Sequence, residues 1–265
     1  MPGVATEACS VKRIVLGLTL ALALLGLSRP ASAQVQGVDE FGAYGPSNRG
    51  RTESPQVGAL ELRFGPYLPR VDSSVTGTPF KDTFGTSTRY MLGLEGDWQL
   101  VRFPHLGTLG PGLGWGYTRA TGRARLTSDL NKLSDEKTSL TVMPFYLVAV
   151  LRADVFAREL NVPFVPYAKL GLGYALWWSS DGGTIAHAGD VSAKGISYGP
   201  QYALGGMFLL DFLDQQTARD ADNSLGINNS YVFGEWYGSE LDGFGSKSRL
   251  NVGANTWVLG LAIEF

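Results

Sequence analysis

Eight stretches alternate between a large apolar face and a small or polar one, and aromatic residues gather toward their ends. After the N-terminal segment, no apolar run reaches the ~18 residues of a helical span. Together these predict an all-β fold: an antiparallel eight-stranded transmembrane β-barrel of outer-membrane type.

Lys12 and Arg13 precede an uncharged apolar run from Ile14 to Leu27, and Ala31-Ser32-Ala33 follows. This is the charged, apolar and small-residue order of a secretory signal peptide, with cleavage expected after Ala33. The run is shorter than the ~20 residues of a membrane span, which disfavours an uncleaved anchor. The single cysteine, Cys9, precedes the run, so the mature chain has no thiol for a disulfide, a nucleophile, a metal or a lipid. Without Lys12, Arg13 and Arg29 the 22 Lys and Arg fall to 19, and without Glu7 the 24 Asp and Glu fall to 23. A net charge near −4 with no basic run argues against nucleic acid as a partner.

Residues 34–56 are polar and rich in Gly, Pro, Ser and Asn, as expected of a flexible lead-in, and the barrel is expected over 57–265. The first strand alternates Leu60, Leu62 and Phe64 with Glu61 and Arg63. The second sets Tyr90, Leu92, Leu94, Trp98 and Leu100 against Gly93, Glu95, Asp97 and Gln99. In the third, Leu109, Pro111, Leu113, Trp115 and Tyr117 oppose four glycines. The fourth, residues 140–153, is apolar on both sides, and its faces stay unassigned. The fifth sets Leu170, Leu172, Tyr174 and Trp178 against Lys169, Gly171, Gly173 and Ala175. In the sixth, Tyr202, Leu204, Phe208 and Leu210 oppose Gln201, Ala203, Gly205 and Asp211. The seventh, residues 231–238, places Glu235 opposite Val232 and Trp236. The eighth sets Trp257, Leu259, Leu261, Ile263 and Phe265 against Gly260, Ala262 and Glu264.

The second face favours a barrel over a sandwich. A soluble sandwich would carry charges on its wet side, whereas here Gly and Ala dominate, which suits a narrow filled lumen. Tyr90, Tyr117, Trp177, Trp178 and Tyr202 cluster toward one end, with Phe103, Phe212 and Phe265 toward the other, as two girdles. Connections over 68–87, 120–139, 179–197 and 239–248 are polar and mostly long, whereas 103–107 and 154–162 are short. That parity puts both barrel ends in the periplasm. Residues 214–229 break the rule with a long polar periplasmic connection that has room for a short helix over 215–222.

The ending Leu259–Phe265, an alternating strand closing on phenylalanine, resembles the signature read by the barrel assembly machinery. Phe265 is therefore the expected assembly signal. The phrases LELRFGPYLPRVD (60–72), VPFVPYAKLGLGYALWW (162–178) and GINNSYVFGEWYGSELDGFG (226–245) resemble an uncharacterised outer-membrane β-barrel family of myxobacterial type. That resemblance implies the fold and the location, and no activity.

Several motifs have an ordinary structural reading beside a chemical one. Gly195-Ile196-Ser197-Tyr198-Gly199 has the G-x-S-x-G pattern, but a strand-like run follows it and both histidines, His105 and His187, precede it. A rim hydrolase acting on lipid would draw on His187 with Ser179, Ser180 and Asp181; a solvated loop histidine is the simpler reading. The glycines around 112–116 and 171–173 open no helix and lack a Lys-Ser/Thr, so they read as one face of a strand. Asp220, Asp222 and Ser224 begin like a calcium loop, but Leu225 and Tyr231 stand where Gly and Glu are needed. No cofactor and no metal is expected.

Arg63, Glu95, Lys169 and Glu235 each fall mid-strand on the inward face. They are expected to form a luminal charge cluster, because an isolated buried charge is very costly. The functional expectation is a non-enzymatic barrel with a structural or surface-interaction role. Its partners would be outer-membrane lipid, the assembly machinery and an unknown ligand of the extracellular loops. A narrow pore, a lipid-acting rim enzyme and a soluble exported β-protein are the alternatives.

Overall fold

The computed structural model describes residues 57–265 except 127–128, 189, 212–226 and 247. The expected signal peptide, the lead-in, the helix over 215–222 and the Asp220-Asp222-Ser224 motif lie outside the described residues. Eight long strands form one antiparallel sheet: β1 Gly58–Pro66, β2 Tyr90–Trp98, β3 Gly107–Gly122, β4 Thr138–Arg152, β5 Phe164–Asp181, β6 Lys194–Leu209, β7 Asn229–Ser239 and β8 Asn255–Glu264. Each pairs with its neighbours in sequence, and β1 pairs with β8, so the sheet closes and leaves no edge. The main chain of Phe265 completes the seam, accepting from the Val57 and Gly58 N–H groups and donating to Gly58 O.

The register fixes the girth. From Leu209 the pairing runs through Tyr231, Ala262, Glu61, Glu95, Gly114, Tyr146 and Gly173 to Gly199, ten residues along the strand where it began. That stagger tilts the strands by roughly 35–45° and leaves a lumen that side chains can fill.

Alternation then assigns the two faces. Leu62, Leu94, Leu147, Leu170, Leu204 and Leu261 are exposed around the outside, while Glu61, Arg63, Glu95, Lys169 and Glu235 are buried inside. An apolar band that circles the whole barrel suits a hydrocarbon surround. The fourth strand, ambiguous in sequence, points Tyr146, Val148, Val150 and Arg152 inward and Leu147 outward. Its doubly apolar character arises because Val148 and Val150 pack inside, with Tyr146, as a small luminal core.

The two barrel rims differ. The near rim, where β1 begins and β8 ends, carries exposed Phe103, Phe164, Phe208 and Phe265; Tyr90, Tyr117, Tyr174 and Tyr198 are exposed toward the far one. β1, β2, β7 and β8 have 9, 9, 11 and 10 residues, whereas β3 to β6 have 16, 15, 18 and 16. The far rim is therefore low along β7, β8, β1 and β2 and high along β3–β6.

This corrects the connection limits drawn from sequence: β3 runs to Gly122 and β4 starts at Thr138, inside 120–139, and β5 runs to Asp181 and β6 starts at Lys194, inside 179–197. Once clear of an apolar surround a strand no longer needs greasy residues, so Thr, Ser, Arg and Lys continue the ladder while the alternation fades. Trp177 is corrected too. It lies on the inward face of β5 and donates from Nε1 to Ser197 Oγ at 3.2 Å, rather than joining a girdle.

Leu170 is among the most exposed apolar side chains and sits halfway along the band. Leu170→Arg is expected to cost about 2–4 kcal/mol. Ser192→Arg, in a far-rim connection, should be close to neutral. Equilibrium unfolding from lipid vesicles checks the pair, and equal costs would refute the assigned faces.

Candidate functional site

The lumen is filled in two layers. In the first, β1 supplies Glu61 and Arg63, β2 Glu95 and Asp97, β4 Arg152, β5 Lys169, β7 Glu235 and β8 Glu264, all buried. The register sets Glu61 directly opposite Glu95, a like-charge pair that would be repulsive alone. Arg63 answers it with Nη1 at 2.9 Å from Glu61 and 2.6 Å from Glu95, while its Nη2 bonds Glu235. Lys169 reaches across from β5 to within 2.7 Å of both Glu61 and Glu95 and 3.7 Å of Glu235. Arg152 holds Asp97 bidentately at 2.7 and 2.6 Å, Glu61 at 3.1 Å and Glu264 at 3.7 Å. Bidentate geometry gives Arg152 an advantage that lysine would lack.

Five carboxylates thus meet three cations, and neutral donors serve the surplus acid. The hydroxyls of Tyr146, Tyr167 and Tyr231 each donate at 2.8 Å, to Glu95, Glu235 and Glu264 respectively. Gln99 and Asn229 also donate to Glu264, at 2.8 and 3.0 Å. Glycine makes this possible. A Cβ on Gly114 would fall inside the Tyr146 ring, and one on Gly205 would crowd Tyr167 and Glu235. The alternating luminal glycines therefore give the tyrosines room to lie across the wall. Carboxylate oxygens of Glu61, Glu95 and Asp97 approach within 4.8 Å of one another. Arg63, Lys169 and Arg152 already stand among these three carboxylates, each within salt-bridge distance of at least one.

The second layer is apolar and caps the far end. Residues 67–89, 240–246 and 248–254 fold in over the low side of the rim. Val71, Phe80, Leu241 and Val252 pack there against Leu140, Val142 and Ala175 of the high wall. Tyr67 donates to Val252 O at 2.7 Å, and burial beside Tyr237 pushes its pKa well above the ordinary value, keeping it a donor. Ser74 Oγ accepts from Asn251 N at 2.9 Å, and Arg70 bonds Glu240.

The four charges singled out from sequence, Arg63, Glu95, Lys169 and Glu235, meet in one cluster. Sequence reasoning passed over their partners Glu61, Asp97, Arg152 and Glu264, and the three tyrosines. Glu61, Asp97 and Glu264 were visible as inward residues of their strands; Arg152 was hidden because β4 shows no alternation. The cap had no sequence signal beyond isolated apolar residues in polar stretches.

The serines and histidines of these motifs have ordinary places. Ser197 is fully buried, donating to Leu250 O at 2.6 Å. His187 meets Ser192 at 3.3 Å across a two-residue ladder, while Ser180 pairs with Ser139 at 2.8 Å and Asp181 with Thr138 at 3.3 Å. His105 meets Glu159 at 2.9 Å. Among the described residues no serine joins a histidine that in turn joins a carboxylate.

These features define a closed eight-stranded antiparallel barrel of outer-membrane type whose lumen is packed from wall to wall. No protein-family model matches the chain, and no curated protein matches it. Among solved structures it is similar to OprG of Pseudomonas aeruginosa (12% identity, 79% of this chain and 96% of that one, TM-score 0.44). It is also similar to neisserial surface protein A (10%, 78% and 96%, 0.41) and to Ail of Yersinia pestis (13%, 79% and 97%, 0.40). At such values the likeness carries nothing about activity, and the barrel rests on its own closed ladder.

Removing one partner of a dry ion network strands the others. Lys169→Ala is expected to lower unfolding stability by about 3–5 kcal/mol. Gly114→Val should cost about 1–3 kcal/mol by displacing Tyr146. Denaturant titration of both variants in vesicles tests this, and parent-like midpoints would show the layer to be wet.

Proposed function

We propose that this protein is an integral outer-membrane barrel that carries nothing through its lumen and acts through its far rim, in a structural or surface-interaction role. The observation that carries the reading is the double filling of the lumen, with charge pairs over its mid-depth and an apolar cap above them. The near rim, with both barrel ends, would face the periplasm and the far rim the exterior. No helix among the described residues is long and apolar enough to cross a membrane; any crossing would be made by strands.

Several proposals accompany this reading. Residues 1–33 would be removed on export and 34–56 would serve as the lead-in to the barrel. Phe265 would be read by the assembly machinery, membership would fall in the myxobacterial-type family, and an exterior ligand would bind the far-rim segments. The narrow-pore alternative needs both layers to open. The rim-enzyme alternative needs His187 to find a serine and an acid other than Ser179, Ser180 and Asp181.

Planar-bilayer recording tests the reading. The parent barrel should be electrically silent. Because the layers lie in series, Lys169→Ala and Leu241→Ser should each stay silent, and only their combination should conduct. Steady conductance by the parent would sink the proposal in favour of a pore. A heat-modifiability gel on membrane fractions tests location and closure together: a chain found in the soluble fraction, without a heat-shifted band, is no outer-membrane barrel.

A further inference from the structure

β6 outruns β7. Their pairing ends at Gln201 and Ser239, yet β6 continues to Lys194, which leaves the carbonyls along that free edge without strand partners. Main-chain acceptors of this kind need donors. The segment after β7 supplies them in steps: Glu240 N–H donates to Pro200 O at 3.0 Å, Gly243 N–H to Tyr198 O at 2.7 Å, and Arg249 Nη1 to Ile196 O at 2.8 Å.

The result is an outward-facing surface at the level of the far girdle. Lys194, Ile196 and Tyr198 alternate onto the outer face of β6 and are exposed, and Tyr198 pairs with girdle residue Tyr174. The Arg249 guanidinium lies over the Tyr198 ring at 4.7 Å. Phe244 packs beside the same ring at 5.8 Å, yet stays 64% exposed and holds φ at 60°, a left-handed backbone that a bulky residue rarely adopts. Strain of that kind, held so as to display an aromatic ring, points to a role for the ring. No carboxylate pairs with Arg249 or Lys194 among the described residues, and nearby Asp242 is turned to its own loop, accepting from Gly245 N–H at 2.8 Å.

We propose that this surface binds the phosphate-bearing headgroup of an outer-leaflet lipid: Arg249 and Lys194 take the phosphate, and Phe244 packs beside the chains. The proposal rests on the membrane reading above. A lipid is favoured over a soluble anion because Arg249 lies over the exposed Tyr198 ring and Lys194 shares the outer face of β6 with exposed Ile196 and Tyr198. Planar guanidinium donors held on a ring suit phosphate oxygens, and a basic residue at a bilayer surface is drawn to anionic lipid.

The test uses the full barrel in phosphatidylcholine nanodiscs doped with phosphatidic acid, with retained lipid counted by native mass spectrometry after extraction. The parent should keep phosphatidic acid in preference to phosphatidylcholine, and free inorganic phosphate should not displace it. Lys194→Ala with Arg249→Ala should weaken retention by about tenfold or more, the scale of a lost charged hydrogen bond. Arg249→Lys should retain more than Arg249→Ala, and Phe244→Ser should weaken retention while leaving the heat-shifted band intact. Lys194→Ala alone removes a side chain with no ion-pair partner among the described residues, so its reduced retention can be read even if Arg249→Ala disturbs folding. Parent-like retention in the Lys194 and double variants, equal retention of phosphatidylcholine, or displacement by free phosphate would overturn the lipid site alone. A parent that neither enters the disc nor shows a heat-shifted band would overturn the membrane reading with it.

Discussion

Charge inside a closed eight-stranded ring has nowhere to go. The ring is too narrow to hold much water and its wall leaves no gap, so every luminal ion must find its counter-ion across the lumen. Burying a charge costs several kcal/mol even after relaxation, and only good geometry with added hydrogen bonds offsets that. The rest of the barrel follows this demand. Lys169 stands on β5, far around the ring from Glu61 and Glu95, so its ammonium ties facing walls together. Glycines thin the wall where tyrosines must lie across it, and the tyrosines bring donors to acids that the three cations leave under-served. The network also fixes register, because a slip of one residue would turn Arg63 and Glu95 out toward the apolar surround.

The fold was legible because a membrane wall imposes period two on both faces at once. Leu60 to Phe64 and Trp257 to Phe265 show it plainly. β4 hides it, because Val148 and Val150 pack inside, and an inward valine looks like an outward one. The long ends of β3 to β6 also escaped notice, for the opposite reason: beyond the girdle neither face is constrained, and Ser179, Ser180 or Lys194 reads as loop although the ladder continues through it.

The site was half legible. An inward charge in mid-strand announces a need for a partner, and Arg63, Glu95, Lys169 and Glu235 could be chosen on that ground alone. Which charges meet depends on the stagger of the ring, and no local pattern encodes the stagger. Glu61 and Glu95 come level only through the pairing of β1 with β2. The cap is less legible still. Leu241 lies in a stretch dominated by Gly, Ser and Asp and Val252 between Asn251 and Gly253, and they are buried because a high wall stands beside a low one and a connection must fill the step.

The uneven rim ties the two layers to the outside. Had all eight strands ended level, the connections could have stood free in solvent and the lumen would have rested on its charges alone. Instead Glu240, Gly243 and Arg249 satisfy the bare edge of β6, while Leu241 and Val252 of the same connection enter the cap and Phe244 turns outward beside Tyr198. Seal and outer surface are thus built from one piece of chain. The two seals also rest on different chemistry. Ion pairs shielded by protein are screened little by salt, whereas apolar packing is strengthened by excluded salts and loosened by denaturant. Salt and denaturant therefore act on the two layers to different degrees, because one is held by charge and the other by apolar burial.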